Sequence, residues 1–163
     1  MTDRAGWFGE PPLRGFQQRF RLRGRVQAAA SAYQRIEVVD TELLGRALVL
    51  DGAVQTTERD EFIYHEMAAL VPLMAHPNPA RVLVIGGGDG GTLRRVLSDR
   101  RVRSATLVEI DPAVVEVCRR YLPAIAGGAF DDPRARLVIA DGARFLAELA
   151  ETFDVIIVDS TDP

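Results

Sequence analysis

Acidic residues stand at the ends of the apolar runs in the second half of this sequence. They are Asp89, Glu109, Asp141, Asp159 and Asp162. If the runs are parallel strands, their carboxyl ends meet at one edge of a sheet, and these carboxylates line a single cleft. Such a cleft focuses negative potential and attracts a cation. An acid after a strand can also cap the next helix, and this alternative stays open for Asp141.

A glycine-rich loop, Gly-Gly-Gly-Asp-Gly-Gly at 86–91, satisfies the G-x-G-x-x-G pattern between a predicted strand and a predicted helix. Glu109, about 20 residues further on, has the position of an acid that binds ribose hydroxyls. The pattern therefore favours an adenosine-containing ligand. Asp89 inside the loop would repel a pyrophosphate, which argues against a nicotinamide cofactor. An adenosine ligand with a positive charge and no phosphate suggests an S-adenosyl sulfonium compound.

The composition of the 163 residues excludes several classes of protein. All 20 basic residues are arginines, which excludes a Schiff-base lysine and a Walker-type phosphate lysine. A net charge of -3 argues against nucleic acid or a membrane surface as a partner. Cys118 is the only cysteine, and no spacing of His, Cys and Asp indicates a metal site. Because the sequence shows no secretory signal and no long apolar run, we expect a cytoplasmic protein.

Residues 1–57 are predicted to form a small antiparallel β-hairpin domain. Apolar and basic side chains alternate with period two over 20–26, which is typical of a half-exposed strand. Asp-Gly at 51–52 is a strong hairpin signal. The segment 1–15 has no periodicity, and we expect an irregular arm there. Further strands are predicted at 34–39 and 47–50.

Residues 58–80 are predicted to connect this domain to the next one. Thr57, with Asp60 three residues later, resembles a capping box at the start of a helix. Pro72 is expected to end that helix near residue 70, because proline disrupts the interior of a helix.

Residues 81–163 alternate between short apolar runs and amphipathic helices. The predicted strands are 82–85, 105–110, 136–140 and 155–158, and helices follow the first three of them. This order predicts a parallel, doubly wound α/β sheet whose ligands bind at the carboxyl ends of the strands. The run 155–158 is entirely apolar and is expected to be buried on both faces. We therefore expect the natural protein to continue beyond residue 163 with further strands of the sheet.

Several segments, in this order, resemble the spermidine synthase (polyamine aminopropyltransferase) family. They are Ser-Ala-Tyr-Gln-Arg-Ile-Glu at 31–37, Leu-Val-Leu-Asp-Gly-Ala-Val-Gln at 48–55, Asp-Glu-Phe-Ile-Tyr-His-Glu-Met at 60–67, His-Pro-Asn-Pro at 76–79, the loop 86–91, and Val-Asp-Ser-Thr-Asp-Pro at 158–163. The resemblance runs from about residue 16 to the end of the sequence. It implies a Rossmann-like, methyltransferase-type parallel sheet, with its C-terminal strands missing here, after a small antiparallel β-hairpin domain.

The resemblance implies transfer of an aminopropyl group from decarboxylated S-adenosylmethionine to putrescine or a related polyamine. The products would be spermidine and methylthioadenosine. No cofactor is implied beyond the sulfonium co-substrate, and the family likeness leads us to expect a homodimer or homotetramer. The implied nucleoside-binding residues are Gln34, Gly86, Gly88, Glu109, Asp141 and Gly142.

The resemblance assigns substrate binding and catalysis to a second group of residues. Asp89 would hold the aminopropyl ammonium group. A primary amine is protonated at neutral pH, so displacement at carbon next to the sulfonium needs a base. Asp159 is the implied base, assisted by the hydroxyl of Tyr64. The implied polyamine contacts are Tyr64, His65, Asp159 and Asp162.

Two alternatives stay open. One is a methyltransferase that uses intact S-adenosylmethionine on putrescine, although Asp89 would then face the methionine carboxylate. The other is a truncated, non-catalytic member of the family that binds nucleoside or pairs with a longer subunit. The sequence does not decide which amine is the preferred acceptor.

Overall fold

A computed structural model of the chain describes residues 6–12 and 14–160. The chain divides into two units, Met1–Glu61 and Phe62–Pro163, and each unit contains its own sheet. The three-part division predicted from the sequence, with boundaries after residues 57 and 80, stays a prediction.

The first unit is built on one antiparallel sheet whose strands lie in chain order. They are β1 (Trp7–Gly9), β2 (Arg19–Ala30), β3 (Arg35–Thr41), β4 (Gly45–Leu50) and β5 (Ala53–Thr57). The hairpin turn predicted from the sequence is confirmed, because Asp51 and Gly52 join β4 to β5 with φ angles of 48° and 90°. A turn with two positive φ angles matches the twist of the strands that it connects.

Strand β1 lies within the segment 1–15, where the sequence predicts only an irregular arm. That prediction is wrong for residues 7–9. Phe8 pairs with Phe20 across the ladder to β2 and is 1% exposed. Its ring packs in a small core with Val39, Ala47 and Val49. Three residues are too few to show a period, so a strand fixed by the burial of one aromatic ring leaves no sequence pattern.

Helix α1 (Glu61–Ala75) leads into the second unit. The predicted end near residue 70 is wrong, because Pro72 lies inside the helix and the last turn continues past it. Leu73 lies in that turn and is completely buried, which stabilises the turn despite the amide hydrogen bond that proline lacks. In addition, the guanidinium of Arg101 donates hydrogen bonds to the carbonyl oxygens of Leu73 and His76 at 3.0 and 3.3 Å.

The second unit contains a four-stranded parallel sheet. Its strands are β6 (Arg81–Gly86), β7 (Ser104–Glu109), β8 (Ala135–Ile139) and β9 (Val155–Asp159), in the order β8-β7-β6-β9. The connections contain α2 (Gly91–Ser98), α3 (Pro112–Tyr121), α4 (Pro123–Ala126), a short 3-10 helix (Ala129–Asp131) and α5 (Gly142–Ala147). The predicted fold class, a parallel α/β sheet after an antiparallel domain, is confirmed.

The strand order reverses beside β6, which is where an open α/β sheet forms a crevice between its strand ends. The chain passes from β6 to β7 and β8, and then returns to place β9 on the other side of β6. Ligands of open α/β sheets bind where the order reverses in this way, at the carboxyl ends of the strands. Here those ends belong to β6, β7 and β9.

The two faces of β9 differ in burial. Val155 and Ile157 face a core that includes α1 and α2, whereas Ile156 and Val158 are 49% and 65% exposed. In the described chain, the prediction that this run is buried on both faces is therefore wrong. On the same face as Val158, Leu83 of β6 is completely buried, whereas its register partner Ile156 in β9 is largely exposed.

Within residues 6–12 and 14–160, no helix combines the length and the apolar character needed to cross a membrane.

Candidate active site

Asp159 ends β9 and receives hydrogen bonds on both carboxylate oxygens. The Tyr64 hydroxyl, from the first turn of α1, donates to Oδ1 at 2.7 Å. The Thr92 hydroxyl, from the first turn of α2, donates to Oδ2 at 2.6 Å. Two helices therefore fix the orientation of this carboxylate at the carboxyl edge of the sheet. The predicted pair of Asp159 and Tyr64 is brought into direct contact.

The glycine-rich loop packs tightly against Asp159. Gly86 and Gly87 have φ angles of 81° and 72°, which residues with a side chain rarely adopt. A Cβ on Gly86 would overlap the backbone oxygen of Asp159, and a Cβ on Gly87 would lie 2.7 Å from its Oδ2. These two glycines thus make room for the acid as well as forming the loop.

Glu109, at the end of β7, is 7% exposed and is held mainly by backbone groups. Its Oε1 accepts a hydrogen bond from the Asp111 N–H at 2.9 Å. Burial raises the pKa of Glu109, although hydrogen bonds from the backbone N–H groups of Asp111, Ile110 and Gly88 act in the opposite direction. A Cβ on Gly88 would lie 2.8 Å from Oε2 of Glu109. The loop and this carboxylate are therefore packed against each other.

Asp89 and His65 form a buried pair. His65 Nε2 lies 3.4 Å from Asp89 Oδ2, and the two residues are 2% and 8% exposed. Asp89 Oδ1 also accepts a hydrogen bond from the Gly91 N–H at 2.7 Å. The His65 ring packs so closely on Gly91 that a Cβ there would overlap it. Contact of His65 with a polyamine stays a prediction, whereas its contact with Asp89 is observed.

Asp141 caps α5, so the alternative that this acid is a helix cap is confirmed. Its Oδ1 accepts hydrogen bonds from the N–H groups of Ala143 and Arg144 at 2.8 and 3.0 Å. Gly142 lies against β6, where a Cβ would overlap the side chain of Ile85. Capping uses one carboxylate oxygen and does not exclude a nucleoside contact by the other. The predicted nucleoside role of Asp141 and Gly142 stays a prediction.

Two of the predicted site residues are not tested by this geometry. Gln34 belongs to the first unit, where its carbonyl oxygen accepts a hydrogen bond from the Ser31 N–H at 2.9 Å, directly before β3. Asp162 lies outside the described residues. In the described part of the chain, no three His, Cys, Asp or Glu residues are grouped so that they could hold a metal ion.

Thr92 is a site residue that sequence reasoning missed. It follows the glycine-rich loop directly and is completely buried. Its place in the first turn of the helix after the loop, at the edge where the acids were expected, was an available signal. The residue type did not indicate this role, because a buried threonine in a helix is common. Asp159, the partner of its hydroxyl group, lies 67 residues away in the chain.

Family models match both parts of the chain. The model described as Spermidine synthase tetramerisation domain matches residues 6–58. The model described as Spermine/spermidine synthase domain matches residues 61–163, which is more than half of the chain.

Relatives and solved structures agree with these models. The chain is 50% identical over 157 residues to a polyamine aminopropyltransferase of Desulforudis audaxviator and 49% identical over 156 residues to polyamine aminopropyltransferase 1 of Pseudomonas aeruginosa. Each match covers 96% of this chain, but only 57% and 54% of the two relatives. The chain thus spans little more than half the length of these curated relatives.

Among solved structures, a spermidine synthase in complex with the transition state analogue AdoDATO superposes with a TM-score of 0.93 at 45% identity, over 100% of this chain and 56% of that one. The spermidine synthase from Thermotoga maritima gives a TM-score of 0.92 at 44% identity, over 98% of this chain and 56% of that one. These similarities confirm the resemblance drawn from the sequence motifs, and the chain belongs to the spermidine synthase (polyamine aminopropyltransferase) family.

Proposed function

We propose that this protein transfers the aminopropyl group of decarboxylated S-adenosylmethionine to putrescine, giving spermidine and methylthioadenosine. The observation that carries the proposal is the Asp159 carboxylate, oriented by two hydroxyl groups at the crevice beside β6. The relatives named polyamine aminopropyltransferase and the related structure with AdoDATO support the same reaction.

In this proposal the nucleoside binds along the carboxyl ends of β6 and β7. Glu109 accepts hydrogen bonds from the ribose hydroxyls, and Gly86 and Gly88 let the loop approach the ligand closely. Asp141 and Gly142 contact the adenine, and Gln34 contacts the nucleoside. The buried, backbone-held carboxylate of Glu109 supports the ribose role, because its acceptor geometry is fixed before a ligand arrives.

The acceptor amine and the aminopropyl group bind among the remaining acids. Asp89 binds the aminopropyl ammonium, and Asp162 and His65 contribute to the polyamine site. A carboxylate already held by the Gly91 N–H can attract an ammonium group without large rearrangement, which supports the assignment of Asp89.

The chemistry of the step follows from the charges. The carboxylate of Asp159 takes a proton from the ammonium of putrescine and frees the nitrogen lone pair. That nitrogen forms a bond to the aminopropyl carbon attached to sulfur, while the carbon–sulfur bond breaks and its electron pair stays on sulfur. The sulfonium becomes the neutral thioether of methylthioadenosine, and the product nitrogen carries the positive charge. The Tyr64 hydroxyl keeps Oδ1 of Asp159 oriented during the transfer.

The proposal includes no cofactor and no metal ion, since the sulfonium itself is the activated leaving group. A homodimer or homotetramer is supported by the match of the first unit to a tetramerisation domain. We place the protein in the cytoplasm, a reducing compartment in which a thiol such as that of Cys118 stays reduced.

An assay that offers both sulfonium donors tests this function. The purified protein receives putrescine with either decarboxylated or intact S-adenosylmethionine, and the products are identified by mass spectrometry. We expect spermidine and methylthioadenosine from the decarboxylated donor alone, because Asp89 repels the carboxylate of the intact one. N-methylputrescine from the intact donor would establish the methyltransferase alternative. Nucleoside binding without product from either donor would establish a non-catalytic member of the family.

A further inference from the structure

Thr92 occupies a buried position between the glycine-rich loop and Asp159. It is the second residue of α2 and is 0% exposed. Its hydroxyl lies 2.6 Å from Oδ2 of Asp159, within the range of a short charge-assisted hydrogen bond to a carboxylate. An ionised carboxylate only accepts hydrogen bonds, so the threonine hydroxyl is the donor.

The two hydroxyl groups that contact Asp159 differ in their surroundings. Tyr64 is 52% exposed, so water can replace its phenol group at Oδ1. Thr92 is completely buried, and its bond to Oδ2 is shielded from solvent. The same oxygen lies beside Gly87, where even a Cβ would be 2.7 Å away. Oδ2 is thus enclosed by the first turn of α2 and the loop, while Oδ1 lies on the side of the exposed phenol.

We propose that Thr92 is a positioning residue for the proton transfer, which fixes Oδ2 of Asp159 and so presents Oδ1 to the acceptor amine. This inference rests on the proposed function, in which Asp159 is the base. The proton of the amine is then accepted at Oδ1, the oxygen that Tyr64 also contacts. Thr92 touches neither the reacting carbon nor the nitrogen and acts only through Asp159.

Two substitutions separate the hydroxyl from the rest of the side chain. Thr92→Val keeps the branched shape and removes the hydroxyl, and Thr92→Ser keeps the hydroxyl and removes the methyl group. We expect Thr92→Val to lower kcat roughly 10- to 100-fold, the effect of misplacing a catalytic group, with little change in the KM for the sulfonium donor. Thr92→Ser should restore most of the activity.

Crystal structures of the wild-type protein and the two variants provide a readout that does not depend on activity. We expect the Asp159 carboxylate to leave its wild-type orientation in Thr92→Val and to keep it in Thr92→Ser. If Thr92→Val does not fold, Thr92→Ala takes its place in both measurements.

The outcomes separate this inference from the proposed function. An unchanged kcat in Thr92→Val, an unmoved Asp159 carboxylate, or a loss in Thr92→Ser as large as in Thr92→Val would overturn the positioning role. A wild-type protein that makes no spermidine would overturn the proposed function instead. The crystal structures would then decide by themselves whether Thr92 orients Asp159.

Discussion

Strands β7 and β9 lie on either side of β6, and each has an acidic residue at its carboxyl end. The two acids are held by different kinds of groups. Glu109 accepts hydrogen bonds from backbone N–H groups and is 7% exposed. Asp159 accepts hydrogen bonds from two side-chain hydroxyls that reach it from separate helices. Backbone donors are present with any side chain, whereas hydroxyl donors depend on two particular residues.

The difference suits the two proposed roles. An acceptor for ribose hydroxyls needs a fixed position and no change of charge, which backbone donors and burial supply. A base changes its charge during the reaction, and hydroxyl groups, which can both donate and accept hydrogen bonds, accommodate that change. The glycine-rich loop contributes to both ends of the crevice, because Gly87 lies against Asp159 and Gly88 lies against Glu109.

The largest expected effect comes from removing each acid in turn. Asp159→Asn should lower kcat by about 10² to 10⁴, the range for a general base, with nearly unchanged affinity for methylthioadenosine. Glu109→Ala should abolish that affinity, because the ribose hydroxyls lose their charged acceptor. Steady-state kinetics and isothermal titration calorimetry measure the two quantities.

Each acid variant is the control for the other. The two roles would be wrongly divided if Asp159→Asn weakened methylthioadenosine binding as much as Glu109→Ala, or if Asp159→Asn retained most of the activity.

Much of this crevice could be predicted because its signals are local. The loop 86–91 and the acids after the strands are sequence patterns, and parallel topology brings them to one edge. The role of Thr92 was missed, because its place after the loop was the only signal and its partner lies 67 residues away. The course of α1 past Pro72 was missed for a similar reason, since the burial of Leu73 outweighs a local helix-breaking signal. Tertiary contacts thus determine both the role of Thr92 and the end of α1.

A smaller effect is expected from alanine at the two loop glycines. Gly87→Ala should displace Oδ2 of Asp159 and lower kcat about 10-fold or more. Gly88→Ala should displace the carboxylate of Glu109 and weaken methylthioadenosine binding by a similar factor. Gly87→Ala should also cost about 1 to 2 kcal/mol in the free energy of unfolding, because its φ angle of 72° strains any side chain. The φ angle of Gly88 is not positive, so this source of strain is absent in Gly88→Ala.

The two glycine variants are compared in the same kinetic, binding and urea-unfolding measurements. Loss of nucleoside binding in Gly87→Ala with normal binding in Gly88→Ala would contradict the assignment of Gly87 to Asp159 and of Gly88 to Glu109.

The smallest expected effect is the contribution of Glu109 to the dependence of stability on pH. Burial raises the pKa of Glu109 above its ordinary value of 4.5, so the native state holds this proton to higher pH than the unfolded chain does. The wild-type free energy of unfolding, relative to Glu109→Gln, should therefore fall as pH rises from 4.5 through the raised pKa, and then level off.

Asp99→Asn serves as a control of opposite sign. The side-chain hydrogen bond from Arg101 lowers the pKa of Asp99 below its ordinary value of 3.8, so its stabilising effect is present above that pH and is lost as pH falls. Urea unfolding of the wild type and both variants between pH 3 and pH 7, in steps of about half a unit, measures the two slopes. A wild-type stability that rises with pH relative to Glu109→Gln would show that the backbone hydrogen bonds to Glu109 outweigh its burial. The opposite pH dependences expected of Glu109 and Asp99 would then not be observed.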